Sequence, residues 1–275
     1  MRVAVTGASG FIGSRLVAEL RDRGDEVTAV GRGKPPDLSG VEGVVNLAGE
    51  PIAQRWTEGA KARIRSSRIE GTEALATALS NADPRPRVLV SASAAGYYGD
   101  RGTEELDEAS RPGDDFLASL CVEWERAADA AEARVVKIRT GVVLDRRGGA
   151  LRKMLPPFRA GLGGPVAGGD QFMPWISLGD IAGVYLAALS DDAWSGAVNA
   201  CAPSPATNAE FARALGRALR RPAVLPVPGF ALKALYGEMA SVVTASQRMV
   251  PRRALELGYE FEHSRLDHAL RAALQ

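Results

Sequence analysis

Several residue types that carry common functions are scarce in this chain. Only two of its 275 residues are cysteine and two are histidine. No His/Cys/Asp cluster therefore has metal-ligand spacing, and Cys121 and Cys201 are expected to be reduced thiols rather than a disulfide. The 34 basic and 33 acidic side chains nearly cancel, so no charge excess favours nucleic acid or an anionic membrane as a partner. We expect no metal, no nucleic-acid partner and no membrane partner.

Long apolar runs are scarce as well. No hydrophobic stretch reaches the length that spans a bilayer, and the first residues already have the pattern of a β-strand. We therefore expect no signal peptide and a cytoplasmic location. Hydrophobic residues nevertheless make up 46% of the chain, which is enough for a buried core. The length suits one large α/β domain or slightly more.

The most informative stretch is Val3-Ala-Val-Thr-Gly-Ala-Ser-Gly-Phe-Ile-Gly13. Its glycines would allow a tight turn, let the backbone approach a pyrophosphate, and let helix and strand pack closely. The helix N-terminus that follows would present free N–H groups to a dianion. Because the triplet lies between a strand and a helix, it predicts a dinucleotide site rather than an ordinary glycine-rich turn. The expected cofactor contacts here are Gly7, Ser9, Gly10, Phe11, Ile12 and Gly13.

Strand-like and helix-like segments alternate along the chain. Segments 3–5, 27–30, 43–47, 88–91, 134–139 and 197–200 have the pattern of strands, and segments 11–23, 57–80, 115–131 and 180–189 that of helices. Alternation of this kind predicts an α/β fold, a Rossmann-like doubly wound parallel sheet with helices on both faces. Only about a dozen residues, 31–42, separate the second and third strands, fewer than a crossover normally needs. We therefore expect that crossover to be shortened.

The pattern also predicts two domains. The Rossmann-like, NADP-binding domain is expected over residues 1–147, joined by about 176–200. Residues 148–175 and 201–275 are expected to form a small C-terminal substrate lobe. The first of these pieces is rich in glycine and proline, with an apolar insert at 151–158.

The end of the second predicted strand indicates which dinucleotide is bound. A carboxylate there would bind the ribose 2′-hydroxyl of NAD, but the chain has Arg32 and Lys34 instead. A guanidinium can bind a 2′-phosphate bidentately and an ammonium adds charge, so NADP(H) is expected. The alternative is a solvated basic loop. Further cofactor contacts are expected from Leu47, Ala48, Gly49, Thr140 and Val142.

Several motifs together resemble the extended short-chain dehydrogenase/reductases. The matching stretches are Thr6 to Gly13, Asn46-Leu-Ala-Gly49, Ser91-Ala-Ser93 before Tyr98-Gly99, and Asp180 after Trp175-Ile176. More narrowly, Gly96-Tyr-Tyr-Gly-Asp100 and Pro174-Trp-Ile176 resemble the atypical group called the NAD-dependent epimerase/dehydratase family, and residues 237–259 resemble that group's own C-terminal domain. Such proteins are often labelled nucleoside-diphosphate-sugar epimerases. The resemblance implies a small-molecule substrate, anionic or nucleotide-linked, and a monomer or homodimer.

The helix that carries the catalytic pair in that superfamily is altered here. The resemblance implies a Tyr-x-x-x-Lys helix, in which the lysine lowers the tyrosine pKa and the tyrosine passes a proton to the substrate. This chain has Phe116 and Leu120 at those positions, and neither carries a proton or a charge. The remaining candidate catalytic residues are Ser93, Tyr97 and Tyr98. Packing of the two tyrosine rings against the helix is the alternative.

Substrate contacts are expected from both parts of the chain. Arg68 stands where the extended group often has an asparagine. It would bind an anionic substrate or, the favoured alternative, pair with Glu70 or Glu73 on its own helix. The second lobe is expected to contribute Met154, Gln171 and Trp175. Two functions follow: an NADP(H)-dependent oxidoreductase or sugar-nucleotide epimerase, or an NADPH-binding sensor or scaffold module without turnover.

Overall fold

A computed structural model describes residues 1–31 and 36–275 of the protein. Arg32 and Lys34, the expected 2′-phosphate contacts, lie outside the described residues. The strands are β1 (Arg2–Thr6), β2 (Glu26–Val30), β3 (Gly43–Asn46), β4 (Val88–Ala94), β5 (Glu105–Leu106), β6 (Arg134–Thr140), β7 (Val142–Leu144), β8 (Phe172–Met173), β9 (Trp175–Ser177), β10 (Gly196–Ala200), β11 (Ala206–Thr207) and β12 (Arg248–Met249). The α-helices are α1 (Phe11–Asp22), α2 (Glu58–Ser80), α3 (Phe116–Asp129), α4 (Gly149–Arg159), α5 (Leu178–Ser190), α6 (Asn208–Leu219), α7 (Gly229–Tyr236), α8 (Ser241–Thr244), α9 (Arg252–Glu256) and α10 (Leu266–Leu274).

The six predicted strands pair in one parallel sheet, in the order β2-β1-β3-β4-β6-β10. Helices cover both faces, with α1 packed against α5 and α2 packed against α3. Val3 and Val5 of β1 point into the cluster on the α1 side, and Ala4 points into the cluster on the α2 side. Burial on both faces explains why this strand is a continuous apolar run rather than an alternating one. The predicted α/β, doubly wound parallel sheet is confirmed.

The crossover between β2 and β3 is short, as predicted. The described residues 36–42 contain neither helix nor strand. Leu38 and Val41, which are 2% and 8% exposed, pack instead into the cluster that contains Ala4 and Leu79. Two apolar side chains therefore cover the part of the sheet that a crossover helix would otherwise cover.

A second hydrophobic cluster lies beside the sheet. Its buried members come from β7, α4, β9, α6 and α10 and from the segment 202–206. Strand β7 lies within residues 1–147, which were predicted to belong to the Rossmann-like domain, and the division into that domain and a small lobe stays a prediction. Helix α4 forms although it contains Pro156 and Pro157. Both prolines lie in its last two turns, and burial of Leu151, Leu155 and Phe158 on one face offsets the backbone hydrogen bonds that proline cannot donate.

Candidate functional site

The glycine turn after β1 leaves no room for side chains. Gly7 has φ +66°, and a Cβ atom there would lie 2.7 Å from the carbonyl oxygen of Leu47. A Cβ atom on Gly13 would lie 2.2 Å from the carbonyl oxygen of Gly7. Gly10 is the N-cap of α1 and offers no side-chain cap. Within the described part of the chain, the first N–H groups of the helix therefore have no side-chain partner and can bind an anion, which is the arrangement that a pyrophosphate requires.

A series of buried hydrogen bonds between polar side chains positions the segment after β3 beside this turn. The Thr6 hydroxyl donates to Asn46 Oδ1 at 2.8 Å and accepts from the backbone N–H groups of Leu47 and Ala48, both at 3.1 Å. The Asn46 amide donates in turn to the hydroxyl of Thr72 on α2 at 2.8 Å. Neither Thr6 nor Thr72 was among the cofactor contacts predicted from the sequence, although a polar residue at the end of an apolar strand was the signal available.

The remaining predicted cofactor contacts in and after this turn differ in exposure. Ser9 and Gly10 are exposed, whereas Ile12 is half-buried against the hydrophobic cluster on the α1 side of the sheet. The ring of Phe11 is covered by the start of α4, because a Cβ atom on Gly148 would lie 2.4 Å from that ring. Glycine at this position therefore lets α4 approach the N-terminus of α1 closely.

Ser93 belongs to a buried charge network rather than to an open surface. It is 3% exposed, and its hydroxyl donates to Glu125 Oε1 at 2.7 Å. Arg139 donates to both oxygens of the same carboxylate at 2.9 Å. Burial would lower the pKa of Arg139, but the hydrogen bonds with Glu125 outweigh it and raise that pKa, so the guanidinium stays charged. The hydroxyl proton of Ser93 is therefore already used in a hydrogen bond within the protein.

Tyr98 is 0% exposed. Its hydroxyl lies 2.6 Å from Asn199 Oδ1 and 2.9 Å from the Asp107 carbonyl oxygen, and it accepts from Arg139 at 3.0 Å. Burial raises the pKa of this phenol. These contacts favour the packing role that was the stated alternative for Tyr98.

Tyr97 differs from its neighbour. It is half-buried, and the Arg139 guanidinium carbon lies 3.4 Å from the centre of its ring. Within the described residues no hydrogen-bond partner reaches its hydroxyl. Of the three predicted catalytic residues, Tyr97 alone keeps a hydroxyl that a ligand could use.

Helix α3 presents an apolar surface at the two altered positions. Phe116 packs edge-on against Trp56, with ring centroids 5.2 Å apart, and Leu120 is buried in the same cluster with Met239. The Lys61 ammonium lies 5.2 Å from the centre of the Phe116 ring and pairs with Glu238 at 2.6 Å. The segment around Met239 thus covers the surface of α3 that contains Phe116 and Leu120, the positions at which the resemblance implies a tyrosine and a lysine.

Arg68 is buried, and the favoured prediction for it is wrong. It is 8% exposed, and Nη1 donates to the carbonyl oxygens of Glu50 and Ile64 at 2.9 and 3.3 Å. Glu70 accepts a hydrogen bond from Ser66 instead. Across residues 1–31 and 36–275, no carboxylate lies within ion-pair distance of Arg68. Burial lowers its pKa.

The predicted substrate residues of the second lobe differ in burial and in their contacts. Trp175 is 1% exposed and donates from its indole to the Ser204 carbonyl at 3.1 Å; its role as a lining residue is a wrong prediction, because it is part of the second core. Gln171 donates to the carbonyls of Val166 and Val243 and so ties two loops together. Met154 is half-buried on the second cluster.

Thr140 and Val142, predicted cofactor contacts, lie at the junction of β6 and β7, and both are half-buried. No group of His, Cys, Asp or Glu in the described chain could hold a metal ion. Among the helices of this described part, none is long and apolar enough to cross a membrane.

The switch in strand order at β1, together with the glycine turn and the uncapped helix, defines a dinucleotide-binding protein of the Rossmann type. The sequence profile of the NAD dependent epimerase/dehydratase family matches residues 3–201, and that of a domain of unknown function, DUF1731, matches residues 227–273. The chain belongs to the NAD dependent epimerase/dehydratase family.

Three relatives illustrate this membership. Epimerase family protein SDR39U1 of Bos taurus is 43% identical, with 100% of each chain covered. The crystal structure of human epimerase family protein SDR39U1 (isoform 2) with NADPH is 42% identical and superposes with a TM-score of 0.94 over 99% of each chain. The nucleoside-diphosphate sugar epimerase from Corynebacterium glutamicum is 33% identical with a TM-score of 0.80, over 100% of this chain and 58% of that one.

Proposed function

We propose that this protein is an NADP(H)-dependent oxidoreductase or epimerase that acts on a small, nucleotide-linked substrate. The observation that carries the proposal is the uncapped N-terminus of α1, behind a turn in which Gly7 and Gly13 exclude any side chain. The human relative whose crystal structure contains NADPH supports the cofactor. The relative named as a nucleoside-diphosphate sugar epimerase supports the substrate class.

The residues present fit a dinucleotide. The free N–H groups of α1 would bind its pyrophosphate, and residues 47–49, fixed by Thr6, would lie along its ribose. Arg32 and Lys34 are the proposed contacts of the 2′-phosphate. When bound, the nicotinamide supplies the hydride chemistry, and the protein binds it and orients it.

Tyr97 is the proposed hydrogen-bond donor to the substrate oxygen. The carboxyl ends of the strands face the ligand in a sheet of this kind, and the turn Ala95–Tyr98 follows the carboxyl end of β4 directly. The hydroxyls of Ser93 and Tyr98 are already bound by Glu125 and Asn199, whereas the Tyr97 hydroxyl has no partner within the described chain. Arg139, stacked on the Tyr97 ring, positions it.

Cofactor choice is tested first, by titrating NADPH and NADH into the purified protein and following nicotinamide fluorescence. NADPH is expected to bind at least about 10-fold more tightly than NADH, and Arg32→Glu to weaken NADPH by a similar factor while changing NADH little. Arg221→Glu, an exposed change of the same charge in the C-terminal part, is the control. Equal losses for both cofactors in Arg32→Glu would contradict the 2′-phosphate contact.

Turnover is tested next, by incubating the NADP(H)-loaded protein with a panel of nucleoside-diphosphate sugars and separating the products by chromatography. We expect conversion of at least one member of the panel, and a loss of at least about 10-fold in Tyr97→Phe. NADPH binding without conversion of any candidate would instead support a cofactor-binding module without turnover.

A further inference from the structure

Among residues 1–31 and 36–275, two guanidinium groups are buried near the carboxyl ends of the strands, and their hydrogen bonds within this described part differ. Arg139 has both oxygens of Glu125 as partners. Arg68 has only two backbone carbonyls, both on Nη1. Its Nε atom is buried without an acceptor in the described chain, and Nη2 makes no hydrogen bond there either. A buried charge in this condition is unfavourable unless a further partner completes it.

The surroundings of Arg68 show where that partner would come from. A Cβ atom on Gly49 would lie 3.0 Å from the Arg68 guanidinium carbon and 3.1 Å from Nη2. Gly49 belongs to the segment that Thr6 holds beside the glycine turn. The same guanidinium carbon lies 5.1 Å from the centre of the Trp124 ring, so an aromatic ring on α3 holds the group at this segment.

The strand order decides which half of a dinucleotide is near. Strand β2, at one edge, is followed by β1 and then by β3. A dinucleotide crosses such a sheet at the switch point, with its pyrophosphate at α1 and its two nucleosides on either side. The 2′-phosphate contacts are proposed after β2, on the adenine side. Gly49 and Arg68 come after β3, on the other side of β1, which is the side of the nicotinamide.

We propose that Arg68 binds the nicotinamide half of NADP(H), donating hydrogen bonds from its unpartnered nitrogens to the oxygens of that nucleotide's ribose and phosphate. The inference rests on the proposed NADP(H) function. Burial lowers the pKa of Arg68, which agrees with a site that is incomplete until an acceptor binds. Helix α3 offers no alternative cation, since its residues at this surface, Phe116 and Leu120, are apolar.

The test compares two ligands that share the adenine half. NADPH contains both halves, whereas adenosine 2′,5′-bisphosphate contains the adenine nucleoside and its 2′-phosphate without the nicotinamide. Arg68→Met is expected to weaken NADPH by about 10-fold or more and to leave the dissociation constant of the bisphosphate within about twofold of the parent value. Arg68→Lys, which keeps the charge, should lose less than Arg68→Met.

Two further variants complete the design. Arg65→Met removes an exposed arginine from the same helix, where it pairs with Glu123. It should change the dissociation constant of neither ligand. Gly49→Ala places a methyl group against the guanidinium and, because residue 49 is itself an expected cofactor contact, should lose NADPH alongside Arg68→Met. Retained binding of the bisphosphate shows that either variant is folded.

Each outcome is decisive. Selective loss of NADPH in Arg68→Met, with a smaller loss in Arg68→Lys, supports the inference. Unchanged NADPH binding, or equal loss of both ligands, overturns it while the proposed function stands. If the parent protein binds neither ligand, the proposed function itself fails.

Discussion

Tyr97 and Tyr98 are adjacent in the chain, with ring centroids 5.2 Å apart and planes at 81° to each other. Within the described residues, only the hydroxyl of Tyr98 has hydrogen-bond partners. The Arg139 guanidinium contacts both residues, lying over the ring of Tyr97 and donating to the hydroxyl of Tyr98. Tyr98 is therefore part of the buried core, whereas the hydroxyl of Tyr97 has no partner within the described residues. The difference between the two tyrosines leads to the first prediction.

Tyr98→Phe should lower the free energy of unfolding by about 1–3 kcal/mol, because Asn199 and Arg139 lose a buried partner. It should leave NADPH affinity close to the parent value. Tyr97→Phe is the matched control and should show the opposite profile, with little change in stability and a loss of turnover. Urea unfolding, NADPH fluorescence and the turnover assay on both variants make the comparison. A stable Tyr98→Phe protein that has lost its activity would assign the chemistry to Tyr98 instead.

The ion pair between Glu125 and Arg139 has side chains that are 8% and 5% exposed. Glu125→Leu should lower the free energy of unfolding by about 3–5 kcal/mol, because it leaves the Arg139 charge buried without its carboxylate partner. The double variant Glu125→Leu/Arg139→Met should recover part of that loss. The exposed pair of Arg65 and Glu123 provides the control, since Glu123→Leu should change stability by no more than about 1 kcal/mol. Equal losses in Glu125→Leu and Glu123→Leu would refute the prediction.

Glycine at position 13 is required by packing. Gly13→Ala brings a methyl group to 2.2 Å from the Gly7 carbonyl oxygen, so the turn must shift. We expect a loss of about 1–3 kcal/mol in stability together with weaker NADPH binding. Gly71 lies in α2, and a Cβ atom there meets nothing within 4 Å. Gly71→Ala should therefore stabilise the protein by about 0.5–1 kcal/mol and leave binding unchanged, and a drop in stability for this control would contradict the packing argument.

Both cysteines are buried and free, and their thiols should not react while the protein is folded. Burial raises the pKa of Cys121 to about 12 and also raises that of Cys201. The thiol reagent DTNB, at a pH of about 8, should modify neither thiol in the folded protein. It should modify both after unfolding in about 6 M guanidinium chloride. Rapid modification of the folded protein would show that one thiol is accessible.

The same thiols predict a pH dependence of stability. The unfolded chain loses their protons above a pH of about 8.5, whereas the folded chain keeps them. The unfolded state then binds fewer protons, so the free energy of unfolding should fall as the pH rises above that value. Urea unfolding at several pH values measures the slope, and Cys121→Ala should make it shallower. A slope that is unchanged in this variant would exclude a contribution from Cys121.

The parts of the fold that depend on local pattern were predictable. Each of the six sheet strands was predicted from a short apolar run, and the sheet contains all six. Helix α1 begins at Phe11, directly after the glycine turn, as the spacing of apolar residues predicts. The shortened crossover followed from the count of residues available. Periodicity and chain length are properties of neighbouring residues, and the sequence displays them directly.

The candidate site was predictable only in part. The roles of Gly7 and Gly13 follow from the motif, and the apolar character of α3 follows from Phe116 and Leu120. Helix α4 was not expected, because prolines usually interrupt helices and only its packing against the second core reveals why it forms. Trp175 was assigned to the substrate wall because nothing in its neighbours shows that its indole donates to Ser204.

The sequence by itself determined the class of fold, the position of the glycine turn and the loss of the usual catalytic pair, because these depend on residue type and spacing. The tertiary structure alone decided which tyrosine hydroxyl and which buried arginine lack a side-chain partner among the described residues. The partner of the Tyr98 hydroxyl is Asn199, 101 residues away along the chain, and the Arg68 guanidinium lies against Gly49 and Trp124 from two other elements. Contacts between distant segments set the burial and hydrogen bonding of these groups, and no local pattern encodes them.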